Sequence, residues 1–285
     1  MIANSRALII TVNFRHVDCT LHFLRSTAAL EGFGNCHLVI ADNNSGDGSR
    51  ERIQEAISGR NNVELLALPN NRGYFGAAKL ALEGYLANHS MSDWVIVCNN
   101  DIVFNSPAFL DKLLAHDPHG AGVLAPAVIS SLTGFDSNPM ILHRPGRLRR
   151  LRYRFFVSNY YVAWLVQWLA PFVRKGRKRW RGGDGKRATS PTQIYAPHGS
   201  FLIFSRRYFE AGGVIDDGAF LYGEEIGVAE TCRRLALPVI HDPALQVTHH
   251  DSQTTGRMLT RKSYLLQKEG LRYSLGKYLG SSRGA

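Results

Sequence analysis

The first 130 residues alternate between short, almost wholly apolar runs and stretches whose apolar positions recur every three or four residues. ALIITVN (Ala7–Asn13), CHLVIAD (Cys36–Asp42), VELLAL (Val63–Leu68) and WVIVC (Trp94–Cys98) are short and rich in β-branched residues, which predicts buried parallel strands. Between them, Val17, Leu21, Leu24 and Ala28 fall at helical spacing within Val17–Leu30. A second helix is expected over Ser49–Ile57 with Ser49 as its cap, and a third over Ala77–Ala87. A fifth apolar run covers Gly122–Ala127. This alternation of strand and helix predicts an α/β fold, a mostly parallel sheet with helices on both faces.

The polar residues gather where the strands stop: Asn13, Asp42, Asn70 to Arg72, and Asn99 to Asp101. Ligands of open α/β sheets bind at that carboxyl edge, because side chains converge there without being trapped between strands. Turn formation would account for one such loop. Four loops ending in amide or acid groups point to a shared site.

Beyond residue 130 the pattern breaks. IYAPHGSFLIFSRR (Ile194–Arg207) resumes strand-like alternation, and GAFLYGEEIGVAETCRRL (Gly218–Leu235) reads as a loop feeding a helix. LPVIHDP and LQVTHHDSQTTG read as two more short strands, the second ending in histidines and hydroxyls. The expected organisation is a first half over 1–130, a basic aromatic insertion over 131–192, a second half over 193–256 and a helical tail over 257–285.

Charge changes the picture in one place. The chain carries +11 overall, yet 144–187 alone holds 14 Lys or Arg against one acid, Asp184, a net +13, so the remainder is slightly acidic. Composition excludes a disordered chain, with 45% hydrophobic residues. Cys19, Cys36, Cys98 and Cys232 lie far apart without a C-x-x-C pair, which argues against zinc and a disulfide framework and for core thiols in a reducing compartment. MIANSRALIITVNF runs straight into a strand without a leader pattern, so a cytoplasmic location is expected.

Three groups could do chemistry. Asp101, at a strand end, suits a divalent cation whose remaining ligands are diphosphate oxygens, Mg2+ or Mn2+. His249 or His250, after VT, could supply a second ligand, and an imidazole tilts the choice toward manganese. Glu224 and Glu225 open a helix in GEEIG; one is accounted for by the helix dipole, the other is a candidate general base.

Taken together these stretches resemble family 2 glycosyltransferases of the GT-A fold, a Rossmann-like architecture, and particularly the bacterial polysaccharide branch that includes rhamnosyltransferases. The matching pieces are the first strand with Asn13, then ADNNSGDGS, NNRGYFGAA, VIVCNNDIVF, APHGSFLIFSRR, FLYGEEI and VTHHDSQTTG, in order from about Ala7 to Gly256. The resemblance implies that Asp42 reads the nucleotide base with Asn13 and Asn44 nearby, and that Asn70, Arg72 and Gly73 approach the nucleotide and its diphosphate. Asn99-Asn100-Asp101 stands in place of an Asp-X-Asp motif, leaving Asp101 the metal, with His249 as the later ligand. His198, Gly199 and Ser200 fall on the acceptor side, and Glu225 follows Glu224 where the family has its base. Gly227 and Thr231 replace an aspartate and an arginine common in the family, and Glu230 is a candidate to take over part of that role.

The implied activity is inverting, metal-dependent transfer of a sugar, rhamnose by kinship, from a nucleotide-diphosphate donor to a lipid-linked or surface-polysaccharide acceptor. A sugar nucleotidyltransferase and a non-catalytic membrane-associated binding protein are the alternatives. Phe155–Val173 contains 19 consecutive uncharged residues between RRLRYR and RKGRKR. Basic flanks on both sides disfavour a span. A helix lying on an anionic membrane surface through 144–187 is expected instead, with Phe156, Tyr160, Trp164 and Trp168 on one face and Asn159, Ala163 and Gln167 on a more polar strip. Packing on the domain is the second reading, and nucleic acid is not an expected partner. The protein would then lie peripherally on the inner face of the plasma membrane.

Overall fold

The structure, a computed structural model, describes residues 6–165, 168, 189–250 and 260–280. The predicted apolar runs appear as strands β1 (Ala7–Asn13), β2 (Cys36–Asp42), β3 (Val63–Ala67) and β4 (Trp94–Asn99). With β5 (Ile102–Phe104), β6 (Val123–Ser130), β7 (Thr192–Ile194), β8 (Phe201–Ser205) and β9 (Val239–His249) they form one nine-stranded sheet among the described residues. The order is β3-β2-β1-β4-β8-β6-β9-β5, with β7 also paired to β9.

β3, β2, β1 and β4 are mutually parallel, β8 runs antiparallel between β4 and β6, and β6 is parallel to β9. The reversal of β8 matters for the site. It turns the start of β8, rather than its end, toward the carboxyl ends of β1, β4 and β9.

Helices cover both faces, which is why β1 is apolar at consecutive positions. Ala7 and Ile9 face a cluster with Phe23, Leu24 and Ile53, from α1 (Val17–Ala28) and α2 (Ser49–Ala56), and with Phe109 of α4 (Phe109–Leu114). Leu8 and Ile10 face Phe75 and Ala78 of α3 (Gly73–Leu86), Tyr208 of α6 (Arg206–Glu210) and Val228 of α7 (Glu224–Arg234). Two further helices are α5 (Arg147–Ser158) and α8 (Arg261–Lys277).

Several local expectations change. Ser49 is the first residue of α2 rather than its cap; Gly48 precedes it with φ 82°, and the Asp47 carboxylate accepts from the Ser49 amide. α3 begins at Gly73, four residues before the expected start, because the polar loop feeds directly into the helix. The two short strands expected near the end are one strand, β9. Its pairing with β6 jumps from Asp242 to Gln246 while β6 advances from Pro126 to Ala127. Pro243, which cannot donate to a ladder, sits in that bulge. The Ala244 amide closes it on the Asp242 carboxylate at 2.9 Å.

The aromatic insertion is not one continuous helix. α5 stops at Ser158, and Asn159 is extended with φ −147° and ψ 140° before helical backbone resumes over 160–165. Ala163, placed on the polar strip by periodicity, is fully buried, and Phe156 and Tyr160 pack against Tyr264 of α8. The other parts of the basic segment, 166–167 and 169–187, lie outside the described residues, as does the 251–256 end of the VTHHDSQTTG motif. Among the described residues no helix is long and apolar enough to cross a membrane.

Candidate active site

The carboxyl ends of β1, β2 and β4 are joined by side chains. Asn13 Nδ2 donates to Asp42 Oδ1 at 2.8 Å and to Ser45 Oγ at 3.0 Å. Ser45 in turn donates to Asp42 through its hydroxyl at 2.5 Å and its amide at 3.2 Å. Asn13 Oδ1 accepts from Thr20 Oγ1 at 2.8 Å, and Thr20 accepts from Asn100 Nδ2 at 2.8 Å. Asp42 is buried with no basic partner in this set, so these three donors carry its solvation. Asn13, Asp42 and Asn100 thus come together through Thr20 and Ser45, two hydroxyls that periodicity reads as ordinary helix and turn residues.

The next loop is built on neighbours of the residues singled out by motif. Asn44 is exposed, with φ 60°, whereas Asn43 is buried and holds the loop. Its Nδ2 donates to Asn71 Oδ1 at 3.0 Å and Gly73 O at 2.9 Å, and its Oδ1 accepts from the Arg72 amide at 2.7 Å. Asn70 and Arg72 are left exposed on the rim. Gly73 has φ 73°, and a Cβ there would fall on the Phe220 carbonyl, so no other residue allows this approach. The Tyr74 amide donates to that same carbonyl at 3.1 Å.

Asp101 and His249, 148 positions apart, meet because β5 pairs antiparallel with β9 and sets Ile102 opposite His249. His249 Nε2 stands 3.1 Å from Asp101 Oδ1 and 3.4 Å from Asn99 Nδ2. Asp101 Oδ1 is buried, and this imidazole nitrogen is its near partner among the described residues. Among those residues no group of three or more His, Cys, Asp or Glu is gathered as a metal site. A carboxylate oxygen and an imidazole nitrogen therefore fit a divalent cation only if substrate oxygens complete its shell. His250 turns away from this pair, its ring 6.1 Å from that of His22.

On the far side, His198 Nδ1 and Ser200 Oγ are 2.8 Å apart, and the His198 ring lies 5.9 Å from that of His249. The His198 amide donates to Asn138 Oδ1 at 2.7 Å, while Asn138 Nδ2 donates to Pro126 O at 2.8 Å. Asn138 is a buried link that nothing in the local pattern marks. Gly199 is where Glu225 reaches the site: a Cβ on Gly199 would stand 2.8 Å from Glu225 Oε1. Burial pushes the Glu225 carboxyl above its ordinary range, against amide hydrogen bonds from Glu225, Gly223 and Gly199.

Glu224 points elsewhere. Its Oε1 accepts from the Tyr222 amide at 3.0 Å, and it lines a cavity of about 10 Å³ with Phe75, Asp216, Tyr273 and Tyr278. Burial and then the adjacent Glu225 push its carboxyl up to about 8. Glu230 is committed to structure: Arg144 binds both its oxygens, at 2.6 and 3.1 Å, and Tyr195 and Arg233 donate at 2.8 and 2.9 Å. Burial works against its charge, but these donors outweigh it and hold the carboxyl below its usual range. Gly227 leaves room for the Tyr278 ring, 3.4 Å from where a Cβ would be, and Thr231 is buried. Where the family commonly places an acid and an arginine, this helix packs.

The chain is similar to known proteins in sequence and in fold. The model of glycosyl transferase family 2 matches residues 8–212. The N-acetylglucosaminyl-diphospho-decaprenol L-rhamnosyltransferase of Mycobacterium tuberculosis is 27% identical over 230 residues, covering 77% of this chain and 68% of its own. Among solved structures, the fold is similar to GalNAc-T7 with UDP, GalNAc and Mn2+, at a TM-score of 0.62 and 14% identity over 94% of this chain and 47% of that one. It is also similar to Staphylococcus aureus TarS 1–349 with UDP-GlcNAc, at 0.56 and 12% over 97% and 68%. The mannosyltransferase PcManGT of Pyrobaculum calidifontis, with GDP-Man and Mn2+, gives 0.52 and 14% over 97% and 73%. The mixed α/β sheet is the GT-A fold, and the chain is a glycosyltransferase belonging to glycosyl transferase family 2.

Proposed function

We propose that this enzyme transfers a sugar, rhamnose by kinship with the mycobacterial relative, from a nucleoside-diphosphate donor to a hydroxyl of a lipid-linked glycan, inverting the anomeric carbon. One observation carries the reading: the Glu225 carboxylate packs on Gly199 at the same sheet edge as the Asp101–His249 pair. The donor's base would lie against Asn13 and Asp42, and its diphosphate along the rim formed by Asn70, Arg72 and Gly73.

Asp101 and His249 would hold Mg2+ or Mn2+, which when bound neutralises charge on the leaving diphosphate. Glu225, its proton affinity raised by burial, takes the proton from the acceptor hydroxyl as that oxygen attacks the anomeric carbon. The bond to the diphosphate oxygen breaks in the same step, and the nucleoside diphosphate leaves with its electron pair. Attack by the acceptor on the face opposite the diphosphate, with Glu225 as the base, gives inversion. His198, Gly199 and Ser200 lie where the acceptor must approach.

The lipid-linked acceptor is supported by the exposed side of the insertion. Leu148 (81% exposed), Leu151 and Phe155 form an apolar stripe on α5, flanked by Arg147, Arg152 and Arg154. Tyr161, Trp164, Leu165 and Trp168 continue the exposed apolar surface. An anionic membrane surface, the inner face of the plasma membrane, suits this combination.

Thermal-shift titration of UDP, dTDP, GDP and CDP, with and without Mn2+, tests the donor site. One diphosphate should stabilise the wild type in a metal-dependent way, and Asp101→Ala should lose that shift. No shift with any nucleotide would remove the transferase reading of this edge. Glu225→Gln should reduce turnover at least about a thousandfold while leaving the nucleotide shift intact.

A further inference from the structure

We infer that the C-terminal helix α8 is the element that positions the Glu224–Glu225 pair, acting through Asp216, Gly270 and Ser274; the inference rests on Glu225 being the base. The helix lies beyond residue 212, where the match to the family model ends, as do the loop 214–223 and α7.

α7 opens on two consecutive left-handed residues, Tyr222 at φ 68° and Gly223 at φ 96°. A tyrosine in that region is strained and persists only where its surroundings impose it. Here α8 imposes it. A Cβ on Gly270 would fall on the carbonyls of Leu221 and Tyr222, and one on Gly223 would stand 2.8 Å from Gly270 O. Ser274 Oγ donates to Gly223 O at 3.2 Å, sharing its proton with Gly270 O at 3.0 Å.

One turn further along, Asp216 anchors the start of the loop. Its carboxylate accepts from Tyr273 Oη at 2.8 Å, from Lys277 Nζ at 2.8 Å and from the Tyr278 hydroxyl. Gly218 lies flat under the Tyr273 ring, where a side chain has no room. Residues 270, 273, 274, 277 and 278 fall at i, i+3, i+4, i+7 and i+8, one face of one helix. That face therefore grips the loop at both ends.

The loop's other side meets the donor rim, through Phe220 O and the Tyr74 amide. α8 thus clamps the segment that carries the base against the segment that faces the diphosphate. Two adjacent glutamates on a helix could rotate together; this clamp sends Glu224 toward Tyr222 and the small cavity, and Glu225 toward Gly199. Asp216, Gly270 and Ser274 are positioning residues, since none touches the reacting atoms.

Hydrogen–deuterium exchange on the full chain and steady-state kinetics test this together. Asp216→Ala should speed exchange across 216–226 by about tenfold or more and leave 94–101 unchanged. Its kcat should fall by about tenfold or more, with the donor KM within about twofold of wild type. Lys277→Gln, which alters only an exposed side chain, should do both to a smaller degree and keeps the test available if Asp216→Ala fails to fold. Unchanged exchange in 216–226, or equal loosening of both segments, would overturn the clamp. Loop opening with unchanged kcat would overturn its positioning role. A wild type that transfers sugar from no nucleotide donor would instead remove the base assignment, and exchange would still decide whether α8 holds the loop.

Discussion

Glu224 and Glu225 are neighbours of the same chemistry whose environments part within one helical turn. Burial and the charge of Glu225 raise Glu224 from 4.5 to about 8. A carboxyl raised by folding stabilises the protein fully below its unfolded value, and that contribution is lost as pH rises through the folded value. Glu224→Gln should therefore flatten the fall in Tm between about pH 4.5 and about pH 8, measured by calorimetry in matched buffers. Glu225 is raised too, so the acid limb of kcat/KM should lie above the ordinary glutamate range, and a limb at the free carboxylate value would contradict the burial seen here. Tyr74 makes the complementary case. Its buried hydroxyl has no hydrogen-bond partner among the described residues, so Tyr74→Phe should leave the free enzyme as stable or raise its stability by about 1 kcal/mol.

At the scale of elements, the site depends on loops tied to one another more than on any one motif. The Asn43 side chain bonds to Asn71, Arg72 and Gly73, joining the loop after β2 to the start of α3. Asn43→Ala leaves three partners unmet and should cost about 1–3 kcal/mol in urea unfolding, with a weaker nucleotide shift. Strands and turns were legible because β1, β2 and β4 are buried on both faces and end in turn-forming amide or acid residues. Asn43 and Ser45 were not, since Asn-Asn-Ser-Gly forms a turn whichever amide points inward. Only the parallel register, which sets Asn13 opposite Asp42, chooses between them. The aromatic stretch misled for a related reason. Its four-residue repeat continues across Asn159, whose extended backbone breaks the helix and turns Ala163 inward onto Tyr264.

For the whole molecule, the described part of the insertion packs on α8. Phe156 and Tyr160 pack on Tyr264, and Arg150 donates to Leu279 O at 3.3 Å, so α5 and α8 are held as a unit. The outward stripe of Leu148, Leu151 and Phe155 stays exposed. Co-sedimentation with anionic vesicles should be strong at low salt, weak for neutral vesicles, and reduced about tenfold or more by replacing these three residues with serine. Equal binding to both vesicle types would contradict an electrostatic membrane surface.

Local chemistry by itself determined that β1, β2, β3 and β4 become strands, about where they stop and which polar groups follow them, because periodicity and turn propensity act over a few residues. Tertiary structure decided which of those groups meet. Asp101 faces His249 because β5 pairs with β9, and Gly199 enters the same edge because β8 runs against its neighbours. It also decided which glutamate reaches Gly199, through a helix that begins 36 residues after Glu225. Those choices depend on pairing and burial across the chain, energies that no short stretch of sequence contains.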